Sequence, residues 1–181
     1  MRILIANDDG YLAPGLAALV QAMQGLGEID VIAPEQNASG TSNSLSLHRP
    51  LSLYRGINGF RYVNGTPSDC VHVALTGLLP ERPDLVLSGI NNGANMGDDT
   101  LYSGTVAVAM EAVTLGIPGV AISFAGHDPE MLATYGPLLK RLVQQVVAVP
   151  AFPADTILNV NLPAVPASER RAQRVMARRA A

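Results

Sequence analysis

The fold class is decided by the first 26 residues, Met1–Leu26, which read MRILIANDDGYLAPGLAALVQAMQGL. Residues 2–7 are rich in strand-forming residues, and residues 14–26 carry apolar side chains at the spacing of a helix. A strand followed by a helix is the opening of a βα unit.

The same alternation continues along the chain. The sequence predicts extended segments at Asp30–Ala33, Leu45–Leu53, Phe60–Val63, Asp84–Ser88, Val120–Phe124 and Thr156–Asn161, and helices at Pro67–Leu79, Ser103–Leu115 and Pro129–Val149. Strands that alternate with helices predict an α/β fold of three layers, in which a mostly parallel, open, Rossmann-like sheet carries helices on both faces. The almost wholly apolar run Asp84–Ser88 is typical of a parallel strand buried on both faces.

Composition limits the class of protein. The chain has 181 residues, of which 48% are hydrophobic and 15% charged, so it is long enough for one domain with a substantial core and too apolar to be disordered. The low charge also favours a homo-oligomer, in which a second subunit covers part of the surface. The single cysteine, Cys70, excludes a disulfide framework and a cysteine-based zinc cluster, and it fits a reducing compartment.

The sequence also bears on location. Its beginning runs directly into the acidic residues Asp8 and Asp9 without the apolar stretch of a signal peptide, so we expect a cytoplasmic protein. The most apolar long stretch, Thr105–Ala125, is interrupted by Glu111 and Pro118. We therefore expect no membrane span.

Charge is distributed unevenly along the chain. The formal net charge is −3, but residues 168–181 hold five of the twelve basic residues and one acid, so the first 167 residues have a net charge of −7. We therefore divide the chain into a domain at 1–167 and a basic tail at 168–181. An acidic domain is a poor partner for nucleic acid. The tail could be a nucleic-acid arm, and the favoured alternative is a solvated terminal segment or the start of another element.

Polar residues follow the predicted strands at four places, and these can converge because ligands of open α/β sheets bind outside the carboxyl ends of the strands. The four places are Asp8-Asp9, residues 37–40 (NASG), residues 89–95 (GINNGAN) and residues 103–105 (SGT). Adjacent carboxylates repel each other unless a cation compensates, and oxygen ligands suit Mg²⁺, Mn²⁺ or Ca²⁺. Taken alone, however, Asp8-Asp9-Gly10 is more typical of a turn with an Asx cap.

The segment Ser103-Gly104-Thr105 begins a predicted helix, where backbone N–H groups and hydroxyls could bind a phosphate. The alternative is a plain N-cap. No G-x-G-x-x-G follows the first strand and no G-K-[ST] is present, which excludes a Rossmann dinucleotide site and a P-loop. A phosphoaspartate phosphatase would need Asp-x-Asp and a downstream lysine, whereas here the acids are adjacent and Lys140 is the only lysine.

Two further residues are given structural interpretations. His72 is taken as a core or surface histidine rather than a catalytic one, because no second titratable group is spaced to partner it. Cys70 is predicted to be a small buried hydrophobe.

Five motifs in series resemble those of a known family. They are residues 5–10 (IANDDG), 33–45 (APEQNASGTSNSL), 65–71 (GTPSDCV), 88–97 (SGINNGANMG) and 102–111 (YSGTVAVAME). Each motif is weak alone, but their order and spacing from Met1 to about Pro163 are specific. The chain resembles the SurE family of stationary-phase survival 5′-nucleotidases.

The resemblance implies a metal-dependent phosphatase that acts on nucleoside 5′- and 3′-monophosphates, with polyphosphate a further substrate of some members. The family's metal ligands fall on Asp8, Asp9, Ser39 and Asn91, and we expect one divalent cation per subunit, Mg²⁺ or Mn²⁺. The phosphate-binding positions fall on Ser39, Gly40, Asn95, Ser103, Gly104 and Thr105. Either Asp8 or Asp9 would accept a proton from the attacking water, and Asn95 would stabilise developing charge.

The C-terminal part departs from the family pattern. Family members continue past Asn159–Pro163 with further β-structure and an arm that joins subunits, whereas this sequence stops at Ala181. We expect a shortened C-terminal extension, of which the tail at 168–181 is the remainder, and a homo-oligomer that is a dimer or a tetramer. Two alternatives stay open, namely a non-catalytic binder of nucleotides or phosphate, and an RNA-associated protein that uses the arginine tail.

Overall fold

The computed structural model describes residues 1–150, 152–170 and 175–179. The strands are β1 (Arg2–Ala6), β2 (Glu28–Pro34), β3 (Leu53–Arg55), β4 (Arg61–Val63), β5 (Leu85–Asn92), β6 (Gly119–Ala125), β7 (Thr156–Pro163) and β8 (Val175–Arg179). The helices are α1 (Pro14–Met23), α2 (Pro67–Val73), α3 (Gly104–Thr114), α4 (Pro129–Ala133) and α5 (Gly136–Val147). Shorter turns are a π-helical turn at Ala74–Leu78 and 3₁₀ turns at Gly97–Leu101 and Ala167–Glu169.

The strands form one sheet in the order β3-β4-β2-β1-β5-β6-β7-β8. The six central strands of this order, β4-β2-β1-β5-β6-β7, are all parallel to one another. Antiparallel pairing occurs at the two edges, between β3 and β4 and between β7 and β8. This is the mostly parallel α/β sheet that the sequence predicts. The strand order reverses between β1 and β5, and this switch point is where open α/β sheets bind ligands.

The core lies on both faces of the sheet, because alternate residues of each central strand point to opposite sides. In β1, Ile3 and Ile5 pack with residues of α1 and α5, whereas Leu4 and Ala6 pack with residues of α2 and α3. All four side chains are fully buried. Helices on both faces are therefore confirmed.

The central strand β5 extends beyond its predicted end at Ser88. Its register with β6 shifts between Ser88 and Asn91, and the strand then continues to Asn92. At Gly89 φ is +128°, and a Cβ there would lie 2.2 Å from the carbonyl oxygen of Ile122. Only glycine fits this close approach of β5 to β6, and the strand then pairs with β6 again at Asn91 and Asn92.

Three predicted elements differ from the structure. The helix expected at Pro129–Val149 is two helices, because Pro137 lies in the first turn of α5, a position that proline tolerates, and would interrupt a continuous helix. The helix expected at Pro67–Leu79 is α-helical to Val73 and π-helical from there. Of the extended segment Leu45–Leu53, only Leu53 belongs to a strand.

The predicted basic tail includes a strand and an arginine that contact the domain. Residues Val175–Arg179 form β8, which pairs antiparallel with β7, and Arg171 and Arg174 lie outside the described residues. Arg170 stacks its guanidinium 3.5 Å above the Tyr135 ring and donates a 2.6 Å hydrogen bond to the Thr134 hydroxyl. Arg170 of the predicted tail therefore has partners on the domain. Within the described ranges, no helix is long and apolar enough to cross a membrane.

Candidate metal and phosphate site

Strand β1 ends in a turn that presents Asp8 and Asp9 at the switch point. The turn is closed locally by Asn7, whose amide nitrogen donates to the Gly10 carbonyl at 2.9 Å. The two carboxylates instead bind residues that are distant in sequence. Asp8 accepts a hydrogen bond from the Thr105 hydroxyl on α3, and Asp9 accepts bonds of 3.3 Å from the Asn37 amide and from the Asn92 backbone N–H. These carboxylates therefore do more than cap a turn, which was the alternative for the isolated motif.

Burial shapes the electrostatics of this pair. Asp8 is 3% exposed, and this burial raises the pKa of its carboxyl. The hydrogen bond from Thr105 lowers that pKa, whereas the neighbouring charge of Asp9 raises it further. Burial also raises the pKa of Asp9, against a hydrogen bond from Asn92 that lowers it. Among the described residues, no lysine, arginine or histidine forms an ion pair with either carboxylate. A cation is the group that would compensate both charges.

The remaining predicted metal ligands lie beside this turn. The loop of Ser39 is tied to it, because Ala38 donates its N–H to the Asp8 carbonyl at 2.8 Å and Asn37 binds Asp9. Asn91 lies at the end of β5 and borders the same cavity as Asp9. No three His, Cys, Asp or Glu side chains cluster in the described part of the chain. A metal here would thus be bound by two carboxylates and by neutral oxygen donors, and this set of ligands suits Mg²⁺ or Mn²⁺.

The start of α3 approaches Asp8 from the face of the sheet opposite to the one on which α1 packs. Ser103 is the N-cap, and its hydroxyl oxygen accepts a 3.2 Å hydrogen bond from the Val106 N–H, which leaves the hydroxyl hydrogen free to donate. Thr105 directs its hydroxyl to Asp8 instead. A Cβ at Gly104 would lie 2.7 Å from the Asp8 Cβ, so this glycine permits the helix to approach the carboxylate.

Asn95 is held by hydrogen bonds with residues of strands β6 and β7. Its N–H donates to the Asn161 side-chain oxygen at 2.8 Å, and its carbonyl accepts hydrogen bonds from the Asn159 and Asn161 amides at 2.9 and 3.0 Å. Its own amide nitrogen donates to the Ser123 hydroxyl at 2.8 Å. Sequence reasoning missed Asn159, Asn161 and Ser123. Asparagines two apart in an otherwise apolar strand were the available signal, because they share one face.

Two residues outside the site test the structural interpretations. Cys70 is fully buried in the core between β1, α2 and α3, as predicted, and burial raises the pKa of its thiol. His72, in contrast, has a titratable partner, because its Nδ1 lies 2.7 Å from the carboxylate of Glu111 on α3. The expectation that no group is spaced to partner His72 is therefore wrong. The pair joins α2 to α3.

Comparison with known proteins agrees with this architecture. The family model described as "Survival protein SurE" matches residues 3–180. The chain belongs to the SurE family. The match includes β8, so the SurE sequence pattern continues beyond Pro163, where the resemblance was expected to end.

Curated SurE relatives and a solved SurE structure cover most of the chain. The protein named 5′-nucleotidase SurE from Methylococcus capsulatus is 56% identical over 96% of this chain and 69% of its own length. The one of the same name from Gemmatimonas aurantiaca is 53% identical over 97% of this chain and 71% of its own. The crystal structure of the Sure protein from Aquifex aeolicus superposes with a TM-score of 0.85, at 44% identity, over 93% of this chain and 68% of that one.

Proposed function

We propose that this chain is a metal-dependent 5′-nucleotidase, which hydrolyses nucleoside 5′-monophosphates to nucleoside and phosphate. The observation that carries the proposal is the pair of carboxylates at the switch point of the sheet, Asp8, which is buried, and Asp9, which is part-buried. Neither has a cationic partner among the described residues. The relatives named 5′-nucleotidase SurE support the same activity.

The cation would be held by Asp8, Asp9, Ser39 and Asn91. When bound, Mg²⁺ or Mn²⁺ supplies charge neutralisation on the phosphate and activation of water. Of the two carboxylates, Asp9 borders an open cavity and is our candidate to accept the proton of the attacking water. Asp8 is buried and receives the hydroxyl of Thr105, so its further task is to hold the start of α3 against the site.

Residues on the other side of the sheet would bind the phosphate. The first-turn N–H groups of α3 have no acceptor within the helix, and the helix dipole favours an anion there. The Ser103 hydroxyl keeps its hydrogen for such a ligand. Gly40 adjoins Ser39 and has nothing within 4 Å of where a Cβ would stand, so the loop leaves room beside it. Donors that are fixed before the reaction stabilise developing charge most strongly, which is the role we assign to Asn95 and the α3 N-terminus.

Several finer expectations belong to this proposal. Hydrolysis of 3′-monophosphates and polyphosphate, the choice between Mg²⁺ and Mn²⁺, assembly into a dimer or tetramer and a cytoplasmic location stay predictions from the sequence. So does the division into a domain at 1–167 and a tail at 168–181.

The proposal is tested by measuring phosphate release from AMP with Mg²⁺, Mn²⁺ or EDTA. We expect turnover with metal and none in EDTA or in Asp9→Asn. Asp155→Asn is the matched control, because Asp155 lies before β7 at the opposite edge of the sheet, and it should keep wild-type turnover. Metal-independent turnover, or full activity of Asp9→Asn, would contradict the proposal. Binding of AMP without turnover would favour the non-catalytic alternative instead.

A further inference from the structure

A cavity of about 240 Å³ opens on the Asp9 side of the switch point. It lies at the carboxyl ends of β5 and β6 and is closed by the start of α1 and by α4. The cavity thus adjoins the candidate metal site, but it lies on the opposite face of the sheet from Thr105 and α3, where we place the phosphate.

The walls of the cavity are mainly apolar. Ala13 and Pro14 form one side, and Phe124 and Leu132 form the other. Phe124 and Leu132 are themselves at least nine-tenths buried, so the wall is fixed by the core. A preformed apolar wall with a few polar groups at its rim is the usual form of a site for a small organic ligand.

The polar rim of the cavity includes the exposed side chain of His127, which contacts Asn92. The His127 Nδ1 lies 2.9 Å from the Asn92 side-chain oxygen, and the Asn92 backbone N–H donates to Asp9. Because an amide oxygen only accepts, Nδ1 is the donor in this contact, and in the tautomer with hydrogen on Nδ1 the other ring nitrogen, Nε2, is an acceptor. A hydroxyl or amino group of a ligand could donate to it.

The charge at the cavity selects against an anion. Asp9 and Asp128 both line it, and no lysine or arginine is found among the described residues of its lining. The two carboxylates would repel a phosphate placed in the cavity, whereas they would not repel a neutral organic group. The size is below the roughly 300–1,000 Å³ of sites that enclose whole drug-sized ligands, so the cavity would take one part of a nucleotide.

We propose that this cavity binds the nucleoside moiety of the substrate, with its ring system against the wall of Phe124 and Leu132 and a hydroxyl or amino group donating to His127. The inference rests on the proposed nucleotidase function. The phosphate would be bound by the start of α3 and by a cation held on Asp9 and Asn91, and its ester bond joins it directly to the nucleoside. The cavity shares Asp9 and Asn91 with that site. His127 is therefore a residue that contacts and selects the leaving group.

The test measures binding of radiolabelled adenosine by equilibrium dialysis in EDTA, since adenosine has no phosphate and needs no metal. We expect wild type to bind it, His127→Ala to weaken its affinity about three- to tenfold through the lost hydrogen bond, and Ala13→Phe to abolish binding by filling the cavity. The matched controls are His48→Ala and Ala17→Phe, both at exposed positions outside the cavity. Wild-type affinity in His127→Ala and Ala13→Phe, or no adenosine binding to wild type up to millimolar concentration, would overturn the proposal.

A second readout separates this inference from the proposed function. With AMP, His127→Ala should raise KM about three- to tenfold, and with p-nitrophenyl phosphate, which has no nucleoside, its kcat/KM should stay within about twofold of wild type. An equal loss on both substrates would show that His127 acts on the phosphate and would contradict a nucleoside site. If wild type hydrolysed neither ester while adenosine binding followed the predicted order, the nucleotidase proposal would fail and the cavity assignment would stand.

Discussion

Asn161 forms a two-way contact with Asn95, since it accepts a 2.8 Å hydrogen bond from the Asn95 N–H and returns a 3.0 Å hydrogen bond to the Asn95 carbonyl. One side chain of β7 thus satisfies both backbone groups of a buried residue of the β5–α3 loop. Asn159 adds a single bond to the same carbonyl. The position of Asn95 therefore depends on a strand 64 to 66 residues further along the chain.

We expect Asn161→Ala to disturb the candidate site more than Asn159→Ala. The first variant leaves the Asn95 N–H without its acceptor, whereas the second leaves the carbonyl with one of its two donors. Loss of a buried hydrogen-bond partner destabilises by about 1–3 kcal/mol, and a small displacement of a positioned group can lower turnover by up to about a hundredfold. The measurements are urea unfolding and kcat with AMP. Wild-type kcat in Asn161→Ala would show that Asn161 does not position Asn95.

The hydrogen bond from Thr105 to Asp8 predicts an effect on metal affinity. Thr105→Val keeps the shape of the side chain and removes the donor, so the buried carboxylate loses the group that holds it in place. Hydrogen bonds to charged groups contribute about 1.5–3 kcal/mol, which corresponds to roughly a ten- to hundredfold weaker binding of Mn²⁺ by calorimetry. Thr105→Ser retains the hydroxyl and should bind within about threefold of wild type. Wild-type affinity for Mn²⁺ in Thr105→Val would show that Thr105 does not contribute to the metal site.

The close approach of α3 to β1 predicts the outcome of adding one methyl group. At Gly104, a Cβ would lie 2.7 Å from the Asp8 Cβ and 3.0 Å from the Pro67 ring, so Gly104→Ala should destabilise by about 1–3 kcal/mol and impair activity. Gly77→Ala is the matched control, because nothing lies within 4 Å of the added Cβ there, and it should be neutral or stabilise slightly. Thermal melting of both variants checks the contrast. A Gly104→Ala protein as stable and active as wild type would show that the helix can move away.

Burial of Cys70 predicts a thiol that reports on unfolding. Because burial raises the pKa of this thiol, little reactive thiolate forms at pH 8, and we expect no reaction with a disulfide reagent until the chain is denatured. The folded pKa lies above the unfolded value of about 8.5, so ionisation favours the unfolded chain and stability falls as the pH rises through that value. Reaction should then reach one thiol per chain in denaturant. Fast reaction of the native protein would show that Cys70 is accessible.

Local patterns in the sequence predict much of this molecule. The spacing of apolar residues gives α1, the continuous apolar run gives β5, and the polar residues after β1 and β5 mark the edge where the candidate ligands lie. Pairings between distant residues could not be predicted in this way. His72 meets Glu111 and Asn95 meets Asn161 because the sheet order brings their elements together, and no local pattern encodes that order. The break between α4 and α5 is indicated locally by Gly136-Pro137, but the apolar spacing across residues 129–149 is that of one continuous helix.

Because the sheet order brings distant parts of the chain together, the candidate site is completed late in folding. Its groups come from the turn after β1 at Asp8, from the loop after β2, from β5, from the start of α3 and from β7 at Asn161. Contacts this far apart in sequence form only after long segments have been closed into loops, which is the slow part of folding for such topologies. A chain whose β1 and β2 are already paired still lacks the strand that holds Asn95. Catalytic competence in this protein is therefore a property of the finished sheet, and recovery of activity after refolding would report assembly as far as β7.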